Sequence, residues 1–213
     1  PSISVQLSGV DTDRIIEQAR QEDNQGNRIR LVRQMLFEQL GIEDRDDFFL
    51  LHEFTWRNTE RGCEVIFGNI RELRDPSLEA GGNDWKLVID FPFDDPGHSP
   101  HDDVARLQKF RQDHQDGTKT LAWIPSFFRP QAQGDLGLLV ILEHVLTGER
   151  FDGYAGILPF QDRPVAKALL ENQRSQLRQR VLHHLEAAYG IDRQTDDSVD
   201  TSHELSEHFD SLL

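Results

Sequence analysis

The spacing of apolar positions divides the chain into alternating strand-like and helix-like stretches. Residues 2–7 alternate through Ile3, Val5 and Leu7 and predict a short strand. Residues 13–21 carry Ile15, Ile16 and Ala19 at helical spacing, with Asp11 or Thr12 as the cap. A polar break, EDNQGN, precedes a firmer helix over 28–40. Its stripe is Ile29, Val32, Met35, Leu36 and Leu40, and Gly41 follows where a left-handed stop belongs. Residues 47–56 and 64–67 predict a hairpin joined by the loop 58–62. Residues 86–89 form a run of apolar character, as in a strand buried on both faces. A helix over 103–114 and a second apolar strand over 121–124 complete a βαβ unit.

The second half of the chain is helical. Residues 131–148 are apolar nearly all round, so this helix is expected against the sheet and beneath another layer. A long helix begins after Asp162, with Pro164 in its first turn, where a missing N–H costs nothing. Its expected stripe is Val165, Leu169, Leu170, Gln173, Leu177, Val181, Leu185 and Ala188, ending at Tyr189-Gly190. Such a helix is about 40 Å long, long enough for its far end to meet another domain or partner. From Ile191 the chain turns acidic and polar, which predicts a linker or tail over 191–213. The expected architecture is one α/β domain over 1–190. It has a small, mainly parallel sheet with a βαβ unit and an added hairpin, flanking helices and a long C-terminal helix.

Composition narrows the function. The 213 residues hold 38 Asp and Glu against 23 Lys and Arg, a net charge of -15. A surface of that sign repels phosphate backbones, which disfavours direct nucleic-acid binding by this segment, although a local Arg cluster such as Arg28, Arg30 and Arg33 leaves it open. A halophilic source produces the same acidity. The single cysteine, Cys63, allows no disulfide within the chain and points to a reducing, cytoplasmic compartment. No apolar run reaches membrane-spanning length, and no signal peptide is visible. The chain opens on Pro1, with Met35 as its only methionine, which suggests a segment of a much larger protein.

The candidate chemistry lies in residues 84–103, DWKLVIDFPFDDPGHSPHDD. An apolar strand runs into Asp90, and a loop then gathers Asp94, Asp95, His98, His101, Asp102 and Asp103. The acids offer hard oxygen ligands for Mg²⁺, Ca²⁺ or Mn²⁺, and the two imidazoles extend the set to Zn²⁺ or Fe²⁺. The spacing matches no metal motif, and every member has a structural alternative as a helix cap or a loop anchor. Neither GxxxxGK[ST] nor GxGxxG is present, so the chain has no phosphate cradle of these kinds. The order strand-Asp90, helix, strand-Ser126 nevertheless follows a Walker B strand and its neighbour, with Asp90 as the Mg²⁺ acid. No Ser-His-Asp set can be assigned, and Ser126 lacks a nucleophile elbow. Trp56, Trp85 and Trp123 sit in or beside strands and are expected to pack in the core.

Four strings carry a resemblance: FTWRNTERGCEVIFGNIREL (54–73), WKLVIDFPFDDPGHSPHDDVARLQKF (85–110), TLAWIPSFF (120–128) and LLENQRSQLRQRVLHHLEAAYGI (169–191). Together, over residues 28–191, they resemble an internal region of the large P-loop ATPase-like proteins of BREX and Pgl phage-defence systems. The resemblance implies a role in phage defence, an intracellular location, and assembly with other domains of the parent protein and other defence subunits. It places ATP and Mg²⁺ on the parent protein, at a P-loop far N-terminal of this region, and assigns no cofactor to this segment. The leading expectation is a non-catalytic interaction or coupling module. Two alternatives stand beside it. One is a divalent-metal hydrolase or nuclease using Asp90 and the loop 94–103. The other is the distal half of an ATPase core with Asp90 as its Walker B-like acid.

Overall fold

The structure is a computed structural model that describes residues 10–43, 49–56, 58–81, 84–114 and 119–191. The expected strand at 2–7, most of the tail 191–213, and the turn at 115–118 lie outside the described residues. The elements in order are α1 (Asp13–Gln18), α2 (Gln25–Leu40), β1 (Phe49–Trp56), β2 (Thr59–Phe67), α3 (Asp75–Leu78) and β3 (Trp85–Ile89). They continue with α4 (Pro100–Asp113), β4 (Thr120–Trp123), α5 (Pro130–Leu146), α6 (Arg150–Tyr154) and α7 (Arg163–Tyr189). They fall into two compact units. One joins the residues up to Ile42 to Phe128–Leu185, and the other joins Glu43–Phe127 to the residues from Glu186 on.

The second unit carries the sheet. Its strand order is β1-β2-β3-β4, with β1 antiparallel to β2 and the other pairs parallel. This is the expected mainly parallel sheet with an added hairpin. The hairpin is tighter than the predicted loop over 58–62, because Trp56 pairs with Thr59 and strand pairing begins there. Asn58 takes φ 59°, a left-handed conformation that Asn tolerates better than most residues and that a two-residue turn demands. Val88 of β3 packs with Ile70, Leu78, Leu107 and Phe110, so α3, α4 and the turn after β2 share one core. Ahead of the apolar Leu87, Val88 and Ile89 of β3 lies a buried Lys86, whose Nζ donates to the Ser77 carbonyl at 3.0 Å and lies 3.4 Å from Glu64. Cys63 is a half-buried strand residue, its thiol pushed up to about 11 chiefly by burial.

The first unit is helical. Asn24 caps α2 by accepting the Asn27 N–H at 3.0 Å, and Gly41 closes it at φ 66°. Here α5 packs on α2 and α6. Arg28 holds Asp23 through two hydrogen bonds of 2.6 and 2.9 Å. That pair lies against Gly137 of α5, where an added Cβ would stand 2.3 Å from the Asp23 carboxylate. In α7 the buried line runs through Ala166, Leu170, Leu177, Val181 and Leu185. Val165 and Leu169, expected in that stripe, are exposed instead. Adjacent residues lie about 100° apart on a helix, and of these two pairs Ala166 and Leu170 are the buried members.

Candidate functional site

The loop after β3 is organised by the turn after β2. Asn69 opens a turn in which Glu72 and Leu73 donate to its carbonyl, and its side chain accepts the Arg71 N–H at 2.9 Å. This turn presents the Ile70 N–H to Asp90, whose own backbone N–H donates to Trp123 of β4. Asp90 is 2% exposed. One carboxylate oxygen accepts from the Phe91 N–H at 2.7 Å and the other from the Ile70 N–H at 3.2 Å. Its carbonyl accepts the Tyr189 hydroxyl, and the Trp123 indole donates to the Tyr189 carbonyl at 3.0 Å. The last turn of α7 is thereby fastened to the C-terminal edge of the sheet.

Asp90 titrates far from an ordinary carboxyl. Burial, and then the charge of Asp103, push it up to about 7, against the lowering effect of the two N–H donors. Asp94 resolves the same contest the other way. Burial favours its neutral form, but Arg71, the Asp95 N–H and Asn69 outweigh it and hold the carboxyl below its usual value. One Arg71 nitrogen reaches both Asp94 oxygens, at 2.7 and 2.8 Å. Asp103 is 1% exposed, and one of its oxygens has no hydrogen-bond partner among the described residues. Burial and the neighbouring Asp94 push it up to about 6.

The remaining predicted residues serve the helix start or face solvent. Asp102 accepts the Ser99 N–H at 2.7 Å, the return half of a capping box at the start of α4, and this holds its carboxyl low. His98 is exposed and 4.0 Å from Asp102, and Asp95 and His101 are exposed. The structure therefore brings Asp90, Asp94 and Asp103 together in one buried neighbourhood and leaves Asp95, His98 and His101 outside it. Among the described residues, no group of three or more His, Cys, Asp or Glu side chains is placed to hold a metal ion. Strand β3 is hydrogen-bonded on both sides, by β2 and by β4, so neither position beside it is open to a phosphate-loop strand.

Three residues at this edge escaped sequence reasoning: Asn69, Arg71 and Tyr189. Asn69 follows Gly68 in a dipeptide that marks a turn without showing what the Asn69 side chain holds. Arg71 lies 23 residues from Asp94 and Tyr189 lies 99 residues from Asp90, separations at which no local pattern operates.

No helix among the described residues is long and apolar enough to cross a membrane. No solved structure matches the chain. Residues 15–213 match the family described as the PglY fourth domain, nearly the whole chain. The chain thus belongs to that family, and is a domain of the large ATPase-like PglY proteins of BREX/Pgl phage defence.

Proposed function

We propose that this domain is a non-catalytic interaction and coupling module of its phage-defence ATPase-like protein. Its partners are other domains of that protein and other defence subunits, in the cytoplasm, with ATP and Mg²⁺ bound elsewhere in the parent chain. The observation that carries this reading is the use made of the acids at the β3 exit. Both oxygens of Asp90 accept backbone N–H groups, Asp94 is clamped by Arg71, and Asp102 caps α4. Side chains so engaged fix the path of a loop, and a rigid loop at a sheet edge suits a surface that transmits force or position between domains. A buried carboxyl titrating near neutrality is also what a general acid or base requires. The direct test is therefore turnover. The purified chain is incubated with ATP and Mg²⁺, and separately with DNA and Mn²⁺. The coupling reading expects no product above buffer. Turnover that Asp90→Ala abolishes would overturn it in favour of a metal hydrolase or a nuclease.

A further inference from the structure

A cleft in the helical unit has the features of an anion site. It is a half-open hollow of about 380 Å³ between α2, α5 and the start of α6, within the range of small-ligand pockets. Leu31 and Val140 give it apolar walls, and Arg30, Arg150 and His144 give it polar ones. Arg30 spends one terminal nitrogen on the Asn27 side chain at 3.2 Å. Arg150 spends its Nε on the His144 carbonyl at 2.7 Å. Each contact engages one nitrogen of its guanidinium and leaves other N–H groups of that fork for a ligand. The His144 ring is held between the Tyr154 hydroxyl, 3.1 Å from Nε2, and Glu22, 3.3 Å from Nδ1. Glu143 is the one acid lining the cleft. It lies 3.8 Å from Arg174 and 3.2 Å from Arg178, so its charge is met from behind. On a chain of net charge -15, this leaves a hollow with two planar guanidinium donors in its lining.

We infer that this cleft binds a small phosphate-bearing ligand, with Arg30 and Arg150 gripping the phosphate and Leu31 and Val140 lying against the remainder. Guanidinium forks match phosphate oxygens in pairs, which a lysine-lined hollow would not do. The inference is independent of the coupling reading, since neither arginine belongs to the sheet unit.

The test is calorimetric titration of the purified chain with three probes: inorganic phosphate, AMP and adenosine. AMP is expected to bind in the micromolar to millimolar range and adenosine at least tenfold more weakly. Inorganic phosphate binding as well as AMP identifies the phosphate group alone as the ligand; AMP binding more tightly identifies a nucleotide-like monoester. The variants Arg30→Gln and Arg150→Gln each weaken AMP at least tenfold, while circular dichroism matches that of the parent chain. No binding of either phosphate probe at millimolar concentration overturns the inference. So does adenosine binding as tightly as AMP, or AMP affinity unchanged in both variants.

Discussion

Asp90→Asn should reverse the sign of its effect on stability as the pH is raised. In the folded chain the Asp90 carboxyl is pushed from an ordinary 3.8 to about 7 by burial and by Asp103. An acid whose pKa is higher folded than unfolded gives stability that is fully present below the unfolded value. That stability declines through the interval between the two values and is lost above the folded one. The rise from 3.8 to about 7 corresponds to roughly 4 kcal/mol at most, because each pH unit is worth about 1.4 kcal/mol. Asparagine carries no charge to desolvate, so it escapes this loss. It has one acceptor oxygen where aspartate has two, so either the Phe91 or the Ile70 N–H loses its partner, at about 1–3 kcal/mol. At pH 4.5 the parent has already lost about 1 kcal/mol of this stability, so the variant should be less stable by up to about 2 kcal/mol there and more stable by about 1–3 kcal/mol at pH 8. Urea unfolding of both chains, followed by circular dichroism at half-unit steps of pH, reads this directly. Asp103 titrates in the same interval, at about 6, and because its charge helps raise Asp90 the parent's transition reports the two acids together. A stability difference that is flat from pH 4.5 to 8, or one in which the parent gains on the variant as pH rises, would refute the reasoning.

Three further outcomes test other parts of the structure. Arg71→Ala leaves the Asp94 side chain, 2% exposed, without its cation and should cost about 3 kcal/mol in urea unfolding at pH 7. The loss should shrink in acid as Asp94 protonates, because that carboxyl is held below its usual value. Gly137→Val drives a side chain into the Asp23–Arg28 pair and should destabilise by about 1–3 kcal/mol, read as a lowered Tm. In α7, Leu170→Ala should cost about 2–5 kcal/mol and Leu169→Ala within about 0.5 kcal/mol, because the first is buried and the second is exposed. Equal losses at the two positions would contradict the helix orientation.

The sheet unit was readable along the chain because its strands announce themselves locally. The apolar residues of 86–89 and 121–124 flank one amphipathic helix, a pattern that admits few arrangements besides a parallel βαβ unit. That an acid of this loop could serve as a helix cap was readable for the same reason, but the pairing of Ser99 with Asp102 emerges only in the structure. The hairpin was legible in kind but not in its turn. Strand pairing across Trp56 and Thr59 is decided by twist and register, which the polar residues of 58–62 do not encode. The candidate site was half legible. Its acids were visible, yet Asp94, Asp95, Asp102 and Asp103 look alike in sequence. Burial and the placement of Arg71 separate a clamped carboxylate, a solvated one, a cap and an orphaned acid.

By itself, the sequence determined the elements, the mainly parallel sheet, the acidic surface and the phage-defence family. Each of these follows from local periodicity, from composition, or from strings of residues kept together along the chain. Only the tertiary structure decided that residues 128–185 group with the first helices, that α7 turns Leu170 rather than Leu169 inward, and that Tyr189 reaches back to Asp90. Those outcomes depend on which surfaces meet after the chain has folded back over tens of residues. The energy that chooses among them is the burial and pairing of groups that have no relation to one another in the linear order.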